Sequence, residues 1–274
     1  MSGNAIPKFT DAELMTIYLY CTKEGYHKKR QMHKYVQKHL LSWFPNLPSY
    51  QAFSHRLNRL ESAFRSLCNQ LLETFPSLDW QYEAGHKKEA VVDSLPIMLS
   101  QGNGCEKAKI ALEIADKGYC STKKVWYHGL KCHLLGLIRP NKMPQPANIV
   151  LSRASENDGT VFFQQLAPLA PNFIVYGDKA YDHPQSVIHA KQTLNLEFIP
   201  IQKRGKGQPK ICSARNFFNQ AVSRIRQPIE SAFNWLIQHT DIQNASKCRS
   251  TKGTLLHIFG KIATAFCIFA FFNS

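Results

Sequence analysis

The sequence predicts an α/β protein in which an all-helical N-terminal region precedes a mixed sheet with its own helices. Three observations carry that prediction. Apolar residues recur at helical spacing between residues 10 and 71, the period changes to that of strands from about residue 88, and strands then alternate with helices. The boundary falls near residue 80, giving segments 1–80 and 81–274.

The helical elements come first. Thr10-Asp11-Ala12-Glu13 has the form of a capping box, and Leu14, Ile17, Tyr18 and Cys21 follow at helical spacing. Met32, Tyr35, Val36, Leu40 and Trp43 mark a second helix that stops before the Pro45–Pro48 turn. Ser49 caps a third, whose apolar stripe runs from Tyr50 through Phe53, Leu57, Leu60, Phe64 and Leu67 to Leu71. Its other face carries His55, Arg56, Arg59 and Arg65. Three short helices with a basic last face fit a helix-turn-helix-like DNA reader, and equally a helical unit used for packing or dimerisation.

The strands follow. Ala90 to Leu99, Val125 to Ile138 and Asn148 to Ser152 are three apolar or alternating runs. A helix over Phe163 to Leu169 ends at Pro171, and the compact strand Phe173-Ile174-Val175-Tyr176 stops at Gly177-Asp178. Phe198 to Ile201 is a further strand, Lys203 to Lys210 reads as a loop, and a helix spans about 214 to 239. Leu255 to Phe272 is apolar, but its run without charge, Ile262 to Phe272, is too short to cross a bilayer, so a buried terminal helix is expected and no membrane partner.

The 274 residues carry 34 Lys and Arg against 19 Asp and Glu, a formal net charge of +15, and 44% are hydrophobic. That composition excludes a disordered or collagenous chain, and the excess positive charge points to nucleic acid as partner. Residues 201–274 hold 11 basic residues and only two acidic ones, Glu230 and Asp241. The eight cysteines are scattered with no CxxC, so they read as reduced thiols, and Cys120, Cys132 and His133 lack zinc-site spacing. MSGNAIPKFT has no secretory pattern, so a cytoplasmic, nucleoid-facing location is expected.

Metal-dependent phosphodiester chemistry needs carboxylates that meet at one point, because hard oxygen ligands hold Mg²⁺. Asp93 and Asp178 each close or punctuate an apolar strand, and Glu230 is an isolated acid on an apolar-patterned helix. One such Asp alone reads better as a turn or helix-cap residue; the three together, in a strongly basic protein, point to a metal site. Lys131 and His133 share a strand face and would reach a scissile phosphate if their strand pairs with that of Asp93, or else are structural. Lys179, next to Asp178, is a further candidate phosphate contact.

Val92-Asp93-Ser94-Leu95-Pro96, Tyr127-His128-Gly129-Leu130-Lys131-Cys132-His133, Gly177-Asp178-Lys179-Ala180-Tyr181 and Arg226-Gln227-Pro228-Ile229-Glu230 together resemble the DDE transposases of bacterial insertion sequences. The resemblance covers roughly residues 88–274 and implies an RNase H-like catalytic core. It implies that Asp93, Asp178 and Glu230 are the catalytic, metal-binding triad, holding two Mg²⁺ for which Mn²⁺ substitutes, with no small-molecule cofactor. Arg226 matches the Arg of the family's Arg-x3-Glu signature and would meet a phosphate. Ser223 and Ile237 stand where that signature has Tyr and Lys, and Ala180 replaces the usual Gly of its turn. Pro228 is expected to start or kink its helix. The implied activity is cleavage of element ends and transfer of the 3′-hydroxyl strand to target double-stranded DNA by a homodimer. Arg56, Arg59, Lys203, Arg204, Lys206 and Arg224 are the expected DNA contacts. The rival readings are an RNase H-like nuclease that cuts without joining and an inactive DNA-binding relic.

Overall fold

The structure is a computed structural model and describes residues 8–79, 88–166, 169, 171–205, 207 and 213–272. The chain forms two compact units, one of residues 1–74 with 236–274 and one of residues 75–235.

The first unit is helical. α1 (Asp11–Lys23) opens on the expected capping box: the Glu13 N–H donates to Thr10 Oγ1 at 3.1 Å, while Glu13 Oε2 accepts from the Thr10 N–H at 2.6 Å. α2 (Lys29–His39) stops short of Leu40 and Trp43, and Trp43 is exposed. The expected third helix is two, α3 (Tyr50–Asn58) and α4 (Glu61–Asp79), split by a turn at Arg59 and Leu60 that no Gly or Pro marks. Leu14, Ile17, Met32, Val36, Phe53 and Leu57 fill the core. α8 (Thr251–Phe272) belongs to this unit and packs on α1 and α3. It is long and apolar enough to span a membrane, yet 67% of that stretch is buried inside the protein.

Two details show how closely α8 fits. A Cβ on Gly260 would come within 2.5 Å of the Tyr18 ring, so the absent side chain is what allows α1 and α8 to approach. Lys261 is fully buried, and its Nζ donates at 2.9 Å to the carbonyl of Asp241, just past the preceding helix. Burial pulls the Lys261 ammonium down to about 8, with the nearby Asp241 carboxylate opposing the shift.

The second unit is a mixed sheet, six-stranded among the described residues. β1 (Lys88–Gln101) is central and pairs antiparallel with β3 (Val125–Leu137). β3 in turn holds β2 (Asp116–Cys120) along its first half and β4 (Gln145–Arg153) along its second, both antiparallel. β5 (Phe173–Gly177) is parallel to β1, and β6 (Glu197–Pro200) is parallel to β5. Antiparallel strands on one side of β1 and parallel ones on the other make the RNase H-like arrangement. β2 has no counterpart in the sequence reading, since Asp-Lys-Gly-Tyr-Cys lacks an apolar alternation.

Ala90, Val92, Leu135, Leu137 and Val175 face α5 (Asp158–Leu166) and α6 (Pro184–Leu194), whose Phe162, Leu166 and Ala190 complete that core. α7 (Ser213–Thr240) runs unbroken through Pro228, which loses one backbone hydrogen bond without ending the helix. Its buried side chains Val222, Arg226, Ile229 and Phe233 recur at helical spacing, so a single face carries one charged residue among apolar ones. Seven cysteines are described and all are free thiols.

In the first unit, the folded state favours neutral Lys261, so holding the ammonium costs stability below pH 8, a cost relieved as pH rises from 8 to 10.5. Lys261→Met should therefore be more stable than wild type by about 1–3 kcal/mol at pH 7. The gap should close toward pH 10.5 in urea denaturation.

Candidate active site

Asp93 lies on β1 just beyond the residues that β5 pairs, Lys88 to Val91. Each paired position is 85 residues from its partner, and Asp93 and Asp178 are 85 apart as well, so the second aspartate leaves β5 at the level of the first. Gly177, immediately before it, has no room for a side chain: a Cβ would meet the Phe198 ring at 2.8 Å. The Lys179–Tyr181 turn that follows is a short 3₁₀ helix with Tyr181 fully buried, and Ala180 avoids the positive φ that would favour Gly.

The two carboxylates meet at one cation. Arg226 Nη2 donates to Asp93 Oδ2 at 2.9 Å, and its Nη1 lies 3.5 Å from Asp178 Oδ1. The guanidinium side chain is 4% exposed, that of Asp93 21% and that of Asp178 45%. Asp93 Oδ1 accepts the Ser94 N–H at 2.8 Å. Burial pushes the Asp93 carboxyl up to about 7. The Arg226 cation and the Ser94 N–H oppose the rise, and the Asp178 and Asp158 carboxylates add to it. Arg226 Nε has no hydrogen-bond partner among the described residues, which leaves a buried donor unsatisfied.

Glu230 follows Arg226 by one helical turn and is exposed. Among the described residues no three His, Cys, Asp or Glu side chains come close enough to hold a metal ion. Two of the three expected ligands are thus brought together and the third is not. The donor type still fits a hard divalent ion, because two carboxylates share one positive group that an ion could replace. Arg226, the expected phosphate contact, is buried and engaged with both aspartates.

Lys131 and His133 do not share the sheet face of Asp93. β3 does pair with β1, but His133 is opposite Ser94, on the other sheet face from Asp93. His133 is fully buried, with Nε2 2.8 Å from Ser152 Oγ. Burial pulls it down to about 4, so it is neutral at physiological pH. Lys131 Nζ donates to Asp158 Oδ1 at 2.8 Å and to the Glu156 carbonyl at 2.7 Å. Asp158, at the start of α5, also receives Ser94 Oγ at 3.4 Å. Sequence reasoning missed Asp158, because Asn157-Asp158-Gly159 reads as a turn and nothing local ties it to β1.

The remaining candidates lie near the surface. Lys179, Arg204 and Arg224 are exposed, as is Lys203, whose Nζ donates to the Asp182 carbonyl at 3.0 Å. Lys206 lies outside the described residues. In the helical unit Arg59 is exposed, whereas Arg56 is tied to Asp11 at 2.6 Å and stacks over Phe9.

The family model of the transposase DDE domain matches residues 84–267, which contain β1, β5, α7 and the aspartate pair. The chain belongs to the DDE transposases. Members of this family act on DNA and generally depend on divalent metal ions. No curated protein matches this transposase significantly.

Arg226→Met should leave Asp93 buried without its cation and cost about 3–5 kcal/mol at pH 8. Asp93 already titrates well above the ordinary carboxylate range and rises further without Arg226, so it takes up a proton on the acid side. The loss should therefore be smaller at pH 6 than at pH 8 in urea denaturation.

Proposed function

We propose that this transposase cuts the ends of its own element and joins the freed strand to target DNA. The observation that carries the reading is the convergence of Asp93 and Asp178 on one guanidinium inside a DDE domain. Asp93, Asp178 and Glu230 would hold two Mg²⁺, or Mn²⁺ in their place. Such ions, when bound, supply activation of the attacking oxygen and stabilisation of the leaving one.

The first reaction is hydrolysis. Water adds to the phosphorus at the element's end and the P–O3′ bond breaks, leaving a 3′-hydroxyl and a 5′-phosphate. In the second, that 3′-oxygen attacks a target phosphodiester and displaces the target's 3′-oxygen. Neither step uses a protein nucleophile. The protein's groups set up the charge: the Ser94 N–H and Arg226 fix Asp93, and Arg226 balances the aspartates before substrate arrives. Lys179, Lys203, Arg204 and Arg224, with Lys206, would steer the phosphate backbone toward them. The helical unit would bind the element's ends, and two chains on DNA would supply the two active sites that joining two ends requires. Its place of action is then the cytoplasm, on the cell's DNA.

An oligonucleotide assay with Mg²⁺, using DNA flanking the gene as donor, tests this. Wild type should nick and join, and EDTA should stop both. Asp93→Asn, Asp178→Asn and Glu230→Gln should each lose on the order of a thousand-fold in rate, about 4 kcal/mol of barrier, while still binding DNA. Cutting without joining would favour a nuclease, and binding without any chemistry a relic. Full activity in Asp93→Asn would refute the triad.

A further inference from the structure

One helix of the helical unit carries a run of unmatched positive charge along one face. Met32, His33 and Val36 of α2 are buried toward α1 and α3, and His33 Nε2 is 2.9 Å from the Pro48 carbonyl. Arg30, Lys34 and Lys38 recur every four residues on the opposite side, all exposed, with Gln31 and Gln37 flanking them. α2 contains no acidic residue, and among the described residues none of the three cations has an ion-pair partner. Like charges four apart cost an isolated helix about 0.2–0.5 kcal/mol per pair, so the stripe opposes the helix that bears it unless an anion sits against it.

The neighbouring basic helix is arranged differently. Arg56 of α3 is bound to Asp11 and Phe9, and Arg59 caps the C-terminal end of α3. Lys29, on the inner side of α2, is held by Asn58. The outward face of α2 therefore lines up three cations on one helix that, among the described residues, have no ion-pair partner.

We propose that α2 is the helix that docks on duplex DNA, with Arg30, Lys34 and Lys38 on phosphates and Gln31 and Gln37 toward base edges. This rests on the DNA-binding role given above to the helical unit and assigns it to α2 in place of α3. A helix about 10–12 Å across suits a major groove about 12 Å wide. Glutamine amides pair with adenine edges there, whereas the cations read only backbone.

The test measures binding of full-length protein to fluorescent duplexes in EDTA, so that no cutting occurs, with gene-flanking and random-sequence probes across a salt series. Arg30→Gln/Lys34→Gln/Lys38→Gln should weaken both probes at least about tenfold near 100 mM salt. It should also flatten the slope of log K against log salt by about 2 to 3. The variant should melt no lower than wild type, since it removes repulsion. Arg59→Gln should change binding little, and Gln31→Ala/Gln37→Ala should reduce the preference for the flanking duplex with the salt slope unchanged.

An unchanged slope and affinity in a folded triple variant would overturn the proposal. So would a larger loss from Arg59→Gln, or competition by poly-glutamate as effective as by duplex, which would assign the face to an acidic protein. A preference that survives loss of both glutamines would overturn their assignment to base edges. Because binding is read without chemistry, a chain that docks through α2 but never cuts refutes the transposition reading alone.

Discussion

The bridge from Arg226 to Asp93 and Asp178 is the constraint around which the second unit is organised. A buried carboxylate beside another carboxylate is unstable as an anion pair, and only a cation delivered from outside the sheet can hold both. α7 delivers it as the one charged position in the stripe Val222, Arg226, Ile229, Phe233. Apolar burial fixes the helix's rotation, and that rotation brings the guanidinium to the strand ends. Such a pair adds little net stability, and its worth lies in specifying geometry. A sheet that slipped register by one residue would turn Asp93 to the other face and leave Arg226 buried with half its partners gone.

The two sheet faces divide the polar residues near β1 into separate networks. Asp93, Asp178 and Arg226 belong to the α7 side. Ser94, Lys131, Asp158, His133 and Ser152 form hydrogen-bonded pairs on the α5 side. The second network ties the start of α5 to β1 and β3 with groups that are neutral or paired. It supports the strand that carries Asp93 without contributing a charge to the Asp93 face. Only Asp158 is felt across the strand, as a modest contribution to the raised Asp93 carboxyl.

Much of this was legible in the residues. The spacing of 85 between Asp93 and Asp178 is also the register offset of β1 and β5, so an aspartate pattern and a strand pairing are one fact. Capping at Thr10 and the apolar strands were local signals, and they hold. What was illegible depended on partners distant in sequence. Asp158 looks like a turn residue until β1 is beside it. His133 and Lys131 share a face, as alternation requires, but which face depends on the pairing of Ser94 with His133. Glu230 lies one turn beyond Arg226 on the same side of α7, yet it is exposed, and helical spacing alone does not say how far it stands from the aspartates.

The helical unit is assembled from two stretches of chain separated by the whole of the other unit. Cys68 Sγ donates at 3.3 Å to the carbonyl of Phe259, a partner 191 positions later, and Gly260 admits the Tyr18 ring. During synthesis the first helices must therefore wait, their apolar faces uncovered, until α8 has left the ribosome, while the sheet between them can already close. A chain interrupted by a frameshift before residue 251 would have its sheet but an open helical core, exposed to proteases.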